Sequence, residues 1–292
     1  MSLIQEDLLI TRKLFISIFI LALIVSCSYA EPVKHGQCWT SDELTELNKE
    51  NVAGGKGTLY GEFAFIRDNA RDEDAIKEIG FMTLKKGDFI GTHSHSDNED
   101  AYLIISGSGI FTDGNGDAYI VHAGDMTIAR PGQAHGLANL YDEDLVFLDI
   151  IAKNSAADLK AITANPTAQY FPAEKLFDKN VEHAGGTGEG ILYGLFAFRR
   201  EQADVNQAIK EIGLMTLKTG DSIVLHKHND NEDTYNILSG TGTFTDTEGN
   251  EYIVGPQSVT IATAGEAHAL KNTGKDNLVF IDLIAQNHAL KK

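Results

Sequence analysis

The sequence predicts an all-β fold built from two tandem copies of one domain. The first observation behind this prediction is an internal repeat, because residues 57–152 return as residues 190–285 with one offset (190 − 57 = 133 and 285 − 152 = 133). A repeat of domain size that keeps its register without a gap indicates tandem duplication. The second observation is composition: short runs rich in Val, Ile, Phe, Tyr and Thr alternate with Gly, Asp and Asn turns, as in sandwiches and barrels.

Six strands are expected in the first copy, each with a counterpart 133 residues later. A tight hairpin turn is expected at Asp113–Asp117 and again at Asp246–Asn250, because Gly and Asn tolerate the positive φ that such turns require. The predicted strands are Thr58–Ile66, Ile76–Leu84, Ala101–Ser106, Ala118–Val121, Met126–Ala129 and Leu145–Ile151.

Three short helices are expected outside the strand blocks. The segment Ser41–Glu50 is introduced by Thr40 and Glu43, which have the spacing of a capping box. The other two helices are predicted at Ser155–Ile162 and at Ala173–Asn180. Their positions suggest that they link or brace the two domains.

The charge balance argues against nucleic acid and anionic lipid as partners. The chain carries 24 Lys and Arg against 42 Asp and Glu, which gives a net charge of −18. Such a surface repels phosphate groups, and no cluster of basic residues interrupts it. A small molecule is therefore the expected partner.

The N-terminus has the pattern of an export signal. Two basic residues precede the apolar run Leu14–Val25, and Ser28–Ala30 then offers small residues for cleavage. The run is short for a membrane span and no charged stop-transfer segment follows it, so a stable membrane span is not expected. We predict a signal peptide over residues 1–30 and a secreted or periplasmic protein, with lipid anchoring at Cys27 as the alternative.

The mature chain divides into an N-terminal domain at 31–154 and a C-terminal domain at 155–292. Cleavage after Ala30 would leave Cys38 as the single cysteine, so no internal disulfide framework is possible. Apolar cores must then hold the fold, and we expect a separate core in each domain. Barrel edges of this kind can pair between subunits, which allows a homo-oligomer.

The strongest chemical signal is a histidine pattern that occurs twice. HSHSDNED at His93–Asp100 returns as HKHNDNED at His226–Asp233, and a further histidine follows each copy at the same distance. His-x-His on a strand places both imidazoles on one face, because side chains alternate along a strand. Three imidazoles and one carboxylate suit a divalent transition metal such as Mn, Fe, Ni, Cu or Zn, one ion per domain. The expected histidine ligands are His93, His95, His135, His226, His228 and His268.

These residues carry a resemblance to the cupin superfamily, whose two motifs are both matched in each repeat. In the first repeat the matching positions are Gly87, His93, His95, an acid, Gly107, Gly132, His135 and Asn139. The chain is therefore similar to a bicupin. That resemblance implies two tandem jelly-roll β-barrels, each with a metal near its centre, Mn being favoured. It also implies action on a small carboxylic acid, in the manner of oxalate decarboxylases or oxidases.

The acidic ligand departs from the family pattern, which has glutamate. Counting six residues back from the last glycine of the first motif gives Asp100 and Asp233, whereas Glu99 and Glu232 lie one position earlier. Strand alternation allows only one member of each adjacent pair to point inward, unless a bulge intervenes. We favour the aspartates by register and keep the two glutamates as alternative ligands.

Two further pairs of repeated residues are candidates for substrate binding. Tyr102 and Tyr235 share the strand parity of the aspartates and could line the pocket, although ordinary strand packing explains them equally well. Arg67 and Arg200 could clamp a carboxylate with two parallel hydrogen bonds. A strand-end arginine at the surface is the simpler interpretation of both.

Three functions fit these observations. The first is a metal-dependent oxidoreductase or decarboxylase acting on a small acid of the oxalate type. The second is a bicupin dioxygenase that uses Fe, Cu or Ni to open a phenolic ring. The third is a non-catalytic protein that binds a sugar, a small acid or the metal itself. An enzyme is the favoured interpretation, and the sequence does not identify catalytic residues.

Overall fold

The computed structural model describes residues 37–161 and 169–287. The predicted signal peptide and the alternative lipid site at Cys27 lie outside these residues. In the part of the chain that is described, no helix is long and apolar enough to cross a membrane.

The described residues are mainly β-strands, which confirms the predicted fold class. The first twelve strands are β1 (Cys38–Trp39), β2 (Thr45–Glu46), β3 (Lys49–Glu50), β4 (Thr58–Phe65), β5 (Ile76–Leu84), β6 (Phe89–Ser94), β7 (Asn98–Ser106), β8 (Ser108–Thr112), β9 (Ala118–His122), β10 (Met126–Ala129), β11 (Ala134–Ala138) and β12 (Leu145–Lys153). The other twelve are β13 (Tyr170–Phe171), β14 (Phe177–Asp178), β15 (Val181–Glu182), β16 (Ile191–Phe198), β17 (Ile209–Leu217), β18 (Ser222–Lys227), β19 (Asn231–Ser239), β20 (Gly242–Thr245), β21 (Glu251–Val254), β22 (Val259–Ala262), β23 (Ala267–Asn272) and β24 (Leu278–Gln286).

Each half is a sandwich of one large and one small antiparallel sheet. The large sheet of the first half has the order β13-β10-β7-β12-β5-β4-β2, and its small sheet has the order β6-β11-β8-β9. The second half repeats this topology with β1-β22-β19-β24-β17-β16-β14 and β18-β23-β20-β21. The predicted turn at Asp113–Asp117 closes the β8–β9 hairpin, and Gly116 adopts the positive φ of 86° that the turn requires.

The helices are shorter than predicted. The α-helix Ala156–Ala161 confirms the helix expected at Ser155–Ile162. The segment predicted as helix from Ser41 to Glu50 forms one 3₁₀ turn, Ser41–Glu43, before β2 and β3. The third predicted helix likewise reduces to the 3₁₀ turn Ala173–Lys175, followed by β14. A further 3₁₀ turn covers Val52–Gly54.

The two halves share a core, so the expectation of separate cores is wrong. Each barrel has its own interior cluster, which contains Phe111 and Phe147 in the first half and Phe244 and Phe280 in the second. A third cluster lies between the halves. Its buried members include Ile76, Ile79, Leu148 and Ile150 from the first half and Ile209, Ile212, Ile281 and Leu283 from the second.

Two short strands also cross between the halves. Strand β1 pairs with β22 of the second half, and β13 pairs with β10 of the first half. Trp39 on β1 packs against Phe65 at a ring-centroid distance of 5.6 Å, and Phe171 on β13 packs against Phe198 at 5.7 Å. Each crossing strand therefore joins the sheet of one half to the aromatic side chains of the other.

Candidate metal centres

Each candidate metal centre is assembled across the two sheets of one half. In the first half, His93 on β6 pairs with His135 on β11 in the small sheet, and His95 follows directly after β6. Asp100 comes from β7 in the large sheet and completes the cluster. The second half repeats this arrangement with its own four side chains, His226, His228, Asp233 and His268.

The distances within each cluster fit a single ion. One candidate ligand atom from each of the four side chains lies within 4.8 Å of the other three. Nε2 of His95 and Nε2 of His135 are 3.0 Å apart, and Oδ2 of Asp100 lies 3.6 and 3.4 Å from them. The equivalent distances in the second half are 3.1, 3.5 and 3.4 Å. Metal–nitrogen bonds of about 2.1 Å place neighbouring ligands of an octahedral ion about 3.0 Å apart and opposite ligands about 4.2 Å apart.

Hydrogen bonds on the far side of the rings fix the orientation of four histidines. Nδ1 of His93 lies 3.0 Å from the Gly91 carbonyl oxygen, and Nδ1 of His95 lies 2.7 Å from Oδ1 of Asn98. His226 and His228 have the same contacts at 2.9 and 2.6 Å. Because a carbonyl oxygen only accepts, Nδ1 must carry the proton, and Nε2 presents its lone pair to the cluster.

The electrostatics of the clusters call for a cation. Burial lowers the pKa of His95 and lowers that of His268 to about 4, so these imidazoles are neutral at neutral pH. Burial raises the pKa of Asp100, but hydrogen bonding and charge from His135 and His95 outweigh it and bring the pKa to about 2. Nε2 of His95 and Nε2 of His135, 3.0 Å apart, then face an ionised carboxylate, while Nδ1 of His135 is buried without a partner among the described residues. A bound metal ion would compensate the buried negative charge and accept the nitrogen lone pairs, so the residues fit the metal that the sequence predicts.

A second buried carboxyl supports each aspartate. Oδ1 of Asp100 and Oδ1 of Asp149 are buried, and neither has an N–H donor among the described residues. Burial, followed by the charges of Asp100 and Glu78, raises the pKa of Asp149 well above its ordinary value. The raised pKa favours the protonated form of Asp149, which can donate its hydrogen to Asp100. Asp282 stands in the same relation to Asp233.

The two alternative ligands point away from the clusters. Glu99 and Glu232 are fully buried in contact with the opposite half, where each accepts two backbone N–H bonds. Burial raises the pKa of Glu99 and raises that of Glu232 to about 7, although hydrogen bonds to each carboxylate act in the other direction. The structure thus brings the aspartates and not the glutamates to the histidines.

The tyrosine candidates stand behind the clusters and do not line an open pocket. Tyr102 is 2% exposed and stacks on His135, with ring centroids 4.5 Å apart and planes 18° from parallel. Tyr235 stacks on His268 in the same way at 4.4 Å. Because each ring packs flat against one face of a cluster histidine, the tyrosines orient that histidine and have no free surface for a substrate.

Arg67 does line an open cavity beside the first cluster. The cavity has a volume of about 280 Å³ and is bounded by Arg67, Ala70, Asp72, Lys77, Asp97, Asn98, Ile151 and Lys153. Nε of Arg67 donates to Oε2 of buried Glu78 at 3.3 Å, which anchors the guanidinium at the rim. Asn98 belongs both to this wall and to the support of His95, so the cavity reaches the Nδ1 side of that ring, and the four cluster side chains are not part of its lining.

The corresponding region of the second half carries different charges. Arg200 and Arg199 both lie near buried Glu211, with N–O distances of 3.9 and 3.3 Å. The positions equivalent to Lys153 and Asp72 are Gln286 and Val205 (153 + 133 = 286 and 72 + 133 = 205). The two halves therefore differ at their rims more than at their histidine clusters.

Two kinds of supporting residue were not singled out from the sequence. Asn98 and Asn231 hold a histidine in each cluster, and Glu78 and Glu211 anchor the arginines. All four are identical between the copies, and the glutamates interrupt otherwise apolar strands. A glutamate that is repeated in both copies and interrupts an apolar strand could have been singled out from the sequence, since a buried carboxylate needs a partner.

Comparison with known proteins identifies the family. The Cupin domain family matches residues 80–151 and 213–284, one match in each half. The chain is also 31% identical over 116 residues to the oxalate-binding protein of Thermotoga maritima, a match that covers 40% of this chain and 93% of that protein. The chain belongs to the cupin superfamily and, with two such domains, is a bicupin.

Solved structures with the same fold come from oxalate decarboxylases. The formate complex of the Lactobacillus farciminis enzyme has a TM-score of 0.63 and 14% identity, with 88% of each chain covered. A deletion mutant of the Bacillus subtilis enzyme has a TM-score of 0.61 and 18% identity, covering 88% of this chain and 80% of the other. At these identities the likeness establishes the two-domain fold.

Proposed function

We propose that this chain is a metal-dependent bicupin that binds a small carboxylic acid of the oxalate type and cleaves or oxidises it. One observation carries the proposal: in the first half, Asn98 supports a histidine of the three-imidazole, one-carboxylate cluster and also lines a cavity with three cationic side chains. The oxalate-binding protein of Thermotoga maritima, as a relative at 31% identity, supports the same class of ligand.

A bound divalent metal would supply a Lewis-acid or redox centre for the acid. Three imidazole nitrogens and one carboxylate oxygen of the chain would hold such an ion and would leave its remaining positions to oxygen ligands. Carboxylate and water oxygens suit Mn²⁺ among the candidate metals. We therefore propose Mn²⁺, and elemental analysis of the purified native protein tests this choice against Fe, Cu, Ni and Zn.

The cavity is large enough for a small anion and has cationic side chains that could bind it. Arg67, Lys77 and Lys153 contribute three positive charges against the two carboxylates of Asp72 and Asp97. Glu78, which pairs with Arg67, brings the carboxylates to three, so charges of both signs balance here in a chain with a net charge of −18. A water molecule needs about 10–15 Å³ of such volume, so a cavity of about 280 Å³ accommodates a small diacid with its hydration.

Arg67 is the residue we assign to carboxylate recognition. Its Nε is engaged by Glu78, which presents the rest of the planar guanidinium to the cavity. A guanidinium can donate two parallel hydrogen bonds to one carboxylate. Because a hydrogen bond to a charged group contributes about 1.5–3 kcal/mol, Arg67→Ala should weaken oxalate binding by about 10- to 100-fold. Arg200→Ala in the second half is the matched control.

Product analysis tests the reaction. Hydrogen oxalate splits into CO₂ and formate with no external oxidant, whereas its oxidation to two CO₂ consumes one O₂ and one proton and yields H₂O₂. Formate produced without a matching loss of O₂ would identify a decarboxylase, and O₂ consumption with H₂O₂ would identify an oxidase. Absence of turnover on oxalate and related small acids by the metal-loaded protein would overturn the catalytic part of the proposal.

A non-catalytic acid-binding protein is the second candidate, because the Thermotoga maritima relative is an oxalate-binding protein. The metal and the cationic rim would then hold the acid without breaking a bond. Calorimetric titration separates the two candidates. Tight oxalate binding by the metal-loaded protein without any product would support the binding protein, and the Arg67→Ala effect on affinity is expected in both cases.

We also propose that the chain is exported after removal of residues 1–30. The proposal is supported by the basic, apolar and small-residue segments that follow one another before Glu31. Mass spectrometry of the protein from its native host should give a mature chain that begins at Glu31. A lipid-modified chain that begins at Cys27 would support the anchored alternative instead.

A further inference from the structure

We infer that Glu99 and Glu232 are positioning residues, through which each metal cluster depends on the opposite half of the chain. This inference rests on the metal-binding part of the proposed function and is independent of the reaction. Glu99 directly precedes Asp100, and Glu232 directly precedes Asp233. Because neighbouring residues of a strand face opposite ways, the aspartate points into its barrel while the glutamate points out of it.

Glu99 crosses from the first half to the start of β17 in the second half. Its Oε1 accepts the backbone N–H of Ala208 at 2.7 Å, and its Oε2 accepts that of Ile209 at 3.0 Å. The side-chain amide of Asn154 donates to Oε1 at 3.0 Å and also reaches the Asn206 carbonyl oxygen at 3.2 Å. Both carboxylate oxygens are therefore bonded to the opposite half.

Glu232 makes the reciprocal contacts at the start of β5. It accepts the N–H groups of Ala75 at 2.7 Å and of Ile76 at 2.8 Å. Asn287 donates to its Oε1 at 2.8 Å and to the Glu73 carbonyl oxygen at 2.9 Å. The same set of contacts, a buried glutamate that accepts two backbone N–H groups and one asparagine amide, thus occurs twice across the shared core. We call each set a clamp.

Each clamp acts where the ligand-bearing strand lacks a neighbour on one side. The pairing of β7 with β10 ends at Asp100 opposite Ala129, so Glu99 lies beyond that ladder and pairs only with β12. The pairing of β19 with β22 likewise ends at Asp233 opposite Ala262. The hydrogen bonds to the glutamate carboxylate begin where the strand pairing ends. They hold the backbone from which the neighbouring aspartate projects.

The internal symmetry of the chain supplies the test. Glu99→Gln and Glu232→Gln keep the size of the side chain but replace one accepting oxygen by an NH₂ group, so each variant damages an equivalent part of the same interface. A purely structural role predicts that both variants affect both clusters alike. A positioning role predicts that each variant affects the cluster whose aspartate it adjoins.

The experiment measures Mn²⁺ affinity by calorimetry on metal-free protein with one cluster left intact. His228→Ala with His268→Ala leaves the first cluster, and His95→Ala with His135→Ala leaves the second. Since loss of groups that orient metal ligands costs about 10- to 100-fold in affinity, Glu99→Gln should weaken the first cluster at least about tenfold. It should leave the second cluster near its parent value, and Glu232→Gln should give the reverse pattern.

Milder variants keep the inference falsifiable if a glutamine variant does not fold. Asn154→Ala and Asn287→Ala each remove one hydrogen-bond donor to Glu99 and Glu232, respectively. Asn154→Ala should weaken only the first cluster and Asn287→Ala only the second, with smaller changes than the glutamine variants. Equal weakening of both clusters, or no weakening of either, would overturn the inference. Failure of the two parent proteins to bind Mn²⁺ would instead refute the metal proposal itself, which makes the two failures distinguishable.

Discussion

Removal of the Asn98 side chain should weaken metal binding in the first half alone. Oδ1 of Asn98 lies 2.7 Å from Nδ1 of His95, and this contact holds the imidazole with Nε2 directed into the cluster. In Asn98→Ala the buried Nδ1–H loses its acceptor and the ring can turn. A net hydrogen-bond contribution of about 1–1.5 kcal/mol corresponds to about 5- to 12-fold in affinity. Measured losses for groups that orient metal ligands reach about 10- to 100-fold, so we expect about tenfold.

Calorimetric titration of metal-free protein with Mn²⁺ measures this change, because the two clusters bind as separate sites once their affinities differ. Asn98→Asp is the matched control, since its carboxylate still accepts the Nδ1 proton and should retain the affinity. Asn231→Ala should produce the same loss in the second half, where the equivalent contact is 2.6 Å. Unchanged affinity in Asn98→Ala would refute the reasoning that the Nδ1 contact orients the ligand.

Three further experiments have defined outcomes. Asp233→Ala should remove one metal equivalent per chain, whereas Glu232→Ala should retain it at reduced affinity; the opposite result in elemental analysis would make the glutamate the ligand. Chelation should lower the melting temperature, because an ion present at 100 times its dissociation constant stabilises the folded state by about 2.7 kcal/mol per site; an unchanged melting curve would speak against occupied sites. Leu283→Ala, in the shared core, should lower the free energy of unfolding by about 2–5 kcal/mol. Both halves should still unfold in one denaturant transition, and two separate transitions would show independent cores.

The histidine clusters could be predicted because their geometry depends on the period of a strand. His93 and His95 lie two residues apart, and His93 is paired directly with His135, so a correct strand assignment suffices to bring the rings together. The choice of Asp100 over Glu99 came from the family motif, by counting six residues back from Gly107, and alternation added that only one of the two points inward. The structure gives the rejected glutamate a contact that one copy of the repeat cannot reveal, since its partners lie more than 100 residues away.

The parts that were predicted wrongly depend on distant contacts. Thr40 and Glu43 do form a capping box, but the segment that follows pairs with β4 as β2 and β3, and this pairing replaces the predicted helix. Strands β8 and β11 were missed, and β6 was expected only as the strand that carries His-x-His. All three are short and contain Gly, Ser or His, which weakens the local strand signal. The shared core was missed because an apolar strand face does not indicate which surface covers it.

Anomalous X-ray scattering from crystals of the Mn²⁺-loaded protein would locate bound ions without assuming their ligands. We predict two peaks per chain, one within about 2.0–2.2 Å of Nε2 of His93, His95 and His135 and the other at the equivalent atoms of the second half. Absence of both peaks, or ions placed beside Glu99 and Glu232 instead of the aspartates, would contradict the assignment of these clusters as metal centres.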